Sequence, residues 1–251
     1  MGSANDSIWR ALRHYDPSQL PFQIEEIVEQ RTYLRNGIVV DRGDVVLDVG
    51  ANVGVAAIFF ATECRAGAVH CFEPVAPLFE LLRENVAEFP VCVPHPYGLG
   101  SRSGPAQITY YPAAASMSGL CADPEADSAV VRTAMLNSGA SREEVDASLR
   151  GRYRSETLNC ELRTLSSVVG ELELGRVDLL KIDVEGAELD VLEGIGDEDW
   201  ALIRQIVIEV HDRGRRGILV ESELRRRGFC LEIEQEPLMR GTDVHLVYGT
   251  R

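Results

Sequence analysis

The chain has 251 residues, with 25 Lys and Arg against 40 Asp and Glu, a formal charge of -15 and a pI of about 4.8. Its 45% hydrophobic and 26% charged residues are those of one globular α/β domain and exclude disordered, collagen-like and coiled-coil architectures. The acidic excess excludes binding that relies on neutralising phosphate backbones, so no nucleic-acid partner is expected. The basic run at Arg213, Arg215 and Arg216, with Arg225 to Arg227, reads as a solvated helix face flanked by Glu221 and Glu223. Six cysteines without a CxxC pair imply a reducing compartment. No apolar run approaches the roughly 18 residues of a membrane span, and the first residues lack a signal pattern. A cytoplasmic protein without a membrane partner is expected.

Residues 1 to 40 precede the first sheet strand, and the amphipathic Ile8-Trp9-Ala11-Leu12 segment predicts an N-terminal helical cover. From 41 onward, short apolar runs alternate with helical patterns. Strands are predicted at 45–49, 68–72 and 91–94, with helices at 55–64 and 77–89 between them. Such alternation means βαβ units and a parallel sheet. Between Tyr111 and Leu162 the alternation is lost. Helical patterns at 124–137 and 141–150, the second opened by a Ser141/Glu144 capping box, predict a helical lid over about 112–160. The alternation resumes with strands at 177–182 and 203–210, each followed by a helix, the first at 187–195 and the second ending near Arg227. The final strands, at 229–234 and 244–248, are joined by a loop too short to cross the sheet and must be antiparallel.

The loop Asp48-Val49-Gly50-Ala51-Asn52-Val53-Gly54 follows the first strand and opens a helix, at the edge where open α/β sheets bind ligands. Its glycines do not have the G-x-G-x-x-G spacing of a dinucleotide site. Asp48 lies inside an apolar strand, where a carboxylate needs a cationic or hydrogen-bonding partner. Lys181, on a later buried strand, is expected to pair with a neighbouring carboxylate. Glu73 ends the second strand, 19 residues after Gly54, where a carboxylate can accept both hydroxyls of a ribose.

These motifs, with Leu180-Lys181-Ile182-Asp183-Val184-Glu185-Gly186-Ala187-Glu188 and Ile208-Glu209-Val210-His211, resemble the FkbM family of S-adenosylmethionine-dependent methyltransferases over about residues 36–251. The middle stretch and the tail are similar to members associated with polyketide and nonribosomal-peptide assembly. The resemblance implies a Rossmann-like class I sheet of seven strands with an antiparallel last pair. It also implies S-adenosylmethionine contacts at Asp48, Gly50, Ala51, Asn52, Gly54, Glu73, Pro74 and Asp183. The expected reaction is O-methylation of a polyketide, peptide or sugar-bearing small molecule, free or tethered to a carrier. A nicotinamide-dependent oxidoreductase and a non-catalytic nucleoside-binding scaffold are the alternatives.

Methyl transfer from an activated donor needs an aligned acceptor oxygen and a route for its proton. Asp183, Glu209 and His211 come from the ends of neighbouring strands and are the candidate catalytic residues. Either His211 is a general base, or the three hold Mg or Mn that acidifies the acceptor hydroxyl. Glu185 can instead cap the helix starting at Gly186. His70 and His95 read as core or strand-end residues.

Overall fold

The computed structural model describes residues 4–17, 19–212, 214 and 216–251; Arg213 and Arg215 of the basic run lie outside the described residues. The N-terminal region contributes α1 (Ala4–Ala11) and α2 (Leu20–Ile24), and α2 runs into a wider turn, Glu25–Glu29, closed by a bond from Gln30 N–H to the Glu25 carbonyl. Trp9 and Ile27 pack into the core from this region.

The seven-stranded sheet is built from β1 (Val45–Val49), β2 (Ala68–Phe72), β3 (Cys92–His95) and, later in the chain, four further strands. Crossover helices α3 (Val55–Thr62) and α4 (Ala76–Asn85) connect the first three. Six of the eight residues of α3 are buried. A helix apolar on every side has to be enclosed, and each buried Phe or Ile there contributes about 1.5–3 kcal/mol.

The sequence then leaves the main sheet. β4 (Gly98–Leu99), β5 (Gly104–Tyr110) and β6 (Glu156–Arg163) form a separate three-stranded sheet in the order β4-β6-β5. Between β5 and β6 lie α5 (Pro124–Asn137) and α6 (Arg142–Leu149), with the Ser141/Glu144 box formed at the start of α6. The stretch 112–160 therefore includes part of a strand, β6, as well as two helices. Buried Asp127 anchors α5 by accepting from the Tyr111 hydroxyl at 3.0 Å.

After α7 (Leu165–Glu171), β7 (Leu179–Ile182), α8 (Glu188–Glu193), β8 (Gln205–His211) and α9 (Arg216–Arg226) return to the main sheet. β9 (Cys230–Glu234) and β10 (Val244–Thr250) complete it in the order β3-β2-β1-β7-β8-β10-β9, with β10 antiparallel to both neighbours. Alternate strand residues feed two cores. Val46, Val69, Leu179 and Val207 face the layer of α3, α4 and the N-terminal segment, whereas Leu47, Phe72, Leu180 and Ile208 face the layer holding α7, α8 and α9. Among the described residues no helix is long and apolar enough to cross a membrane.

Candidate active site

The carboxyl ends of β1, β2, β7 and β8 open into a cleft of about 320 Å³. Three features shape its sheet side. The loop after β1 is drawn to β2 by bonds from Gly50 N–H and Ala51 N–H to the Phe72 carbonyl, both 3.0 Å. The Asp183 carbonyl lies directly against Gly50, whose φ is +81° and where an added Cβ would fall 1.7 Å from that oxygen. Gly50→Ala is therefore expected to unfold this loop locally, at about 1–3 kcal/mol of strain, and to abolish cofactor binding. A Gly50→Ala protein with wild-type calorimetric affinity for S-adenosylhomocysteine would contradict this.

Glu73 is nearly fully buried at the end of β2. Its Oε2 accepts from Asn52 N–H at 2.9 Å and its Oε1 from Val75 N–H at 2.8 Å. Each oxygen keeps a second lone pair, an acceptor pair that two donating ribose hydroxyls would satisfy. Burial pushes the carboxyl up to about 7, partly offset by those two N–H groups.

Beneath the loop, Lys181 donates to the Gly50 carbonyl at 2.8 Å, forms an ion pair with Asp48 Oδ1 at 2.9 Å, and lies 3.7 Å from Asp183 Oδ2. Asp183 Oδ2 also accepts from the Tyr33 hydroxyl at 3.1 Å. Burial opposes the Lys181 charge, but Asp48 and Asp183 outweigh it and hold the ammonium above its ordinary range. The N-terminal segment adds Glu26, pushed up to about 7 by burial and then by Asp183 and Glu236.

At the far side His211 sits between two carboxylates, Nε2 3.1 Å from Glu185 Oε2 and Nδ1 3.0 Å from Glu188 Oε1. Burial disfavours the imidazolium, but Glu185 and Glu188 override it and hold His211 well above the ordinary imidazole range. Glu209 is pushed well above the carboxylate range by burial, then by Asp183 and Glu26.

The FkbM methyltransferase domain profile matches residues 48–231. The chain belongs to the FkbM methyltransferase family. It is an S-adenosylmethionine-dependent methyltransferase, and the nicotinamide alternative falls with that match. It is 39% identical over 241 residues to the 31-O-demethyl-FK506 methyltransferase FkbM of Streptomyces tacrolimicus, covering 95% of this chain and 92% of that one. Against the AMB antimetabolite synthetase AmbE of Pseudomonas aeruginosa it is 38% identical over 249 residues, which are 93% of this chain and 12% of AmbE. The crystal structure of an FkbM methyltransferase from Methylobacillus flagellatus superposes with a TM-score of 0.55 at 13% identity, over 97% of this chain and 57% of that one. That likeness carries the Rossmann-like class I fold.

Within this FkbM domain the cleft brings together Asp183, Glu209 and His211 with Gly50, Ala51, Asn52, Glu73 and Pro74, all on its lining. Asp48 lies beneath, paired with Lys181, and Gly54 starts α3 behind the lining, its Cβ position facing Leu82 and Val86. Three expectations are revised. His211 does not stand free as a general base: it lies between Glu185 and Glu188, and those two carboxylates hold it well above the ordinary imidazole range. The expected Mg or Mn set of Asp183, Glu209 and His211 is not supported: among the described residues no group of three or more His, Cys, Asp or Glu is placed to hold a metal ion. Glu185 does not cap a helix either; Glu188 Oε1 accepts from Gly186 N–H at 2.7 Å and α8 starts at Glu188.

Tyr33, Glu26 and Glu188 escaped the sequence reading. The only signal for Glu188 was its place in the Glu185-Gly186-Ala187-Glu188 motif. Nothing local marks Tyr33, whose partner is 150 residues away. His70 and His95 meet each other on β2 and β3, with Nδ1 to Nε2 at 3.2 Å.

Proposed function

We propose that this methyltransferase acts on a hydroxyl of a small-molecule natural product, an O-methylation of a polyketide, peptide or sugar-bearing acceptor that arrives free or carrier-bound. The observation that carries this reading is one cleft lined by the buried Glu73 carboxylate together with Asp183, Glu185 and Glu209. The name of the Streptomyces relative, aligned over nearly its whole length, supports it; a second relative is the hexuronic acid methyltransferase AglP of Haloferax volcanii, at 26% identity.

When bound, S-adenosylmethionine supplies an activated methyl group on a sulfonium. In this reading Glu73 accepts the ribose hydroxyls, and Gly50, Ala51 and Asn52 give the close backbone approach with Pro74 beside them. Asp183, fixed by Tyr33 and Lys181, places a negative charge at the methionine end, as Asp48 does from below. Glu209 in its neutral form can donate a hydrogen bond to the acceptor. Alignment of the acceptor oxygen is the main contribution required of the protein.

Tritiated methyl donor incubated with 31-O-demethyl-FK506 and with a hexuronic acid tests the reading. Label recovered on a hydroxyl oxygen is expected. Label found only on nitrogen or carbon acceptors would sink it.

We further infer that the α5–α6 insertion is a lid that closes over the acceptor. Amides at 112–155 are then expected to exchange hydrogen fastest in the free protein and to slow when cofactor and acceptor bind. Exchange as slow as that of β7 in the free protein would remove the lid.

A further inference from the structure

We propose that Glu185 is the carboxylate that takes the acceptor's proton, backed by the His211 ring that Glu188 holds in position. The step rests on the hydroxyl-methylation reading above. Glu188, His211 and Glu185 stand in line, with the first two 2% exposed and the third on the wall of the cleft. Glu185 Oε2 lies 3.1 Å from His211 Nε2 and has no other hydrogen-bond partner among the described residues, and the side chain lines the cleft, where Oε1 is the oxygen assigned to meet the acceptor.

The backbone is bent to produce this arrangement. Glu185 has φ +55° and Gly186 φ +99°. A glutamate in the left-handed region is strained and persists only where its surroundings enforce it. Glu188 enforces it here, accepting from Gly186 N–H while it holds His211 Nδ1.

The insertion above supplies a third constraint. The backbone at Gly119 rests on this residue, since a Cβ added there would lie 3.0 Å from Glu185 Cβ. An acceptor entering under α5 therefore meets Glu185. The competing carboxylates are otherwise engaged. Asp183 belongs to the cofactor edge, its N–H donating to the Val49 carbonyl at 3.0 Å and its Oδ2 accepting from Tyr33. Glu209 is pushed well above the carboxylate range by burial, then by Asp183 and Glu26.

The balance is simple. As the acceptor oxygen bonds to the methyl carbon, the C–S bond breaks with its electron pair going to sulfur, and the hydroxyl proton passes to Glu185 Oε1. Glu185 ends neutral and returns the proton to water when product leaves; His211 keeps both of its protons throughout, so it and Glu188 are positioning residues.

Glu185→Gln and Glu185→Asp are compared with the wild type on a hydroxyl acceptor that the wild type methylates, alongside S-adenosylhomocysteine calorimetry and nitrogen NMR of His211. Glu185→Gln should slow turnover by about 10²–10⁴ with cofactor affinity within twofold, and Glu185→Asp should recover part of the loss. His211 should carry two ring protons at pH 7.5 in the wild type and lose one in Glu188→Gln. Wild-type turnover in Glu185→Gln, or a neutral His211 in the wild type, overturns the proposal. A wild type that methylates only nitrogen or carbon strikes the hydroxyl reading itself and removes the need for a base, a result that the NMR readout cannot mimic.

Discussion

Lys181→Met is expected to destabilise the protein by about 3–5 kcal/mol, the usual cost of leaving one member of a buried ion pair alone. Asp48 is fully buried and Lys181 is 2% exposed, and the two face each other across the register of β1 and β7. Without the ammonium, Asp48 would have to ionise in a dry core or take up a proton, and the Gly50 carbonyl would lose its donor. Against a typical total stability of about 5–15 kcal/mol this is a large fraction. Urea unfolding should show a lower midpoint at unchanged slope. Asp48→Asn combined with Lys181→Met should recover part of the loss, because the second change removes the stranded charge. A single mutant within about 1 kcal/mol of wild type would show that the pair is not what stabilises this edge of the sheet.

Glu73→Ala is expected to weaken cofactor binding by roughly 1.5–3 kcal/mol, about the worth of a hydrogen bond to a charged acceptor. It also leaves the Asn52 and Val75 amides without their acceptor, so the loop that approaches the cofactor loosens as well. The wild type should carry a pH signature. Its Glu73 titrates at about 7 in the free protein, and hydroxyls donating to the charged form favour ionisation. Affinity should therefore rise as pH increases through 7 and fall as pH drops below it. Glu73→Gln, which cannot ionise, should bind weakly and without that slope. Calorimetry with S-adenosylhomocysteine at pH 6 and pH 8 distinguishes the cases, and equal wild-type affinities at both would refute the assignment.

The main sheet was legible because buried parallel strands are apolar on successive residues; β7 and β8 can be read from composition alone. The second sheet was not. β5 opens with Gly104-Pro105, and β6 is Glu-Thr-Leu-Asn-Cys-Glu-Leu-Arg, half-exposed with no apolar run to mark it. Its pairing with β5 spans the whole helical insertion, a separation at which no local pattern helps. That Gly50, Ala51, Asn52, Glu73 and Pro74 share one cleft was legible because they sit in contiguous loops whose spacing reflects backbone geometry. The acceptor half depends on contacts between distant segments. His211 was visible, but its two carboxylate partners, Glu185 in the turn before α8 and Glu188 at the first residue of α8, are set by contacts that no local pattern reveals.

The antiparallel strand β10 follows every other strand in the chain, yet it lies between β8 and β9. The sheet thus cannot be assembled in the order in which it is synthesised. Until β10 arrives, β8 offers Ile206, Ile208 and Val210 on an unpaired edge, the kind of template that recruits other chains. The same late strand reaches back to the start of the molecule, where the Tyr248 hydroxyl donates to the Thr32 carbonyl at 2.9 Å, one residue before Tyr33. Tyr33 in turn holds Asp183. A nascent molecule can therefore contain Gly50, Glu73, Asp183 and His211 of the cleft and still lack the support that sets their spacing, so competence to bind the methyl donor should emerge in a single step with the closing strand.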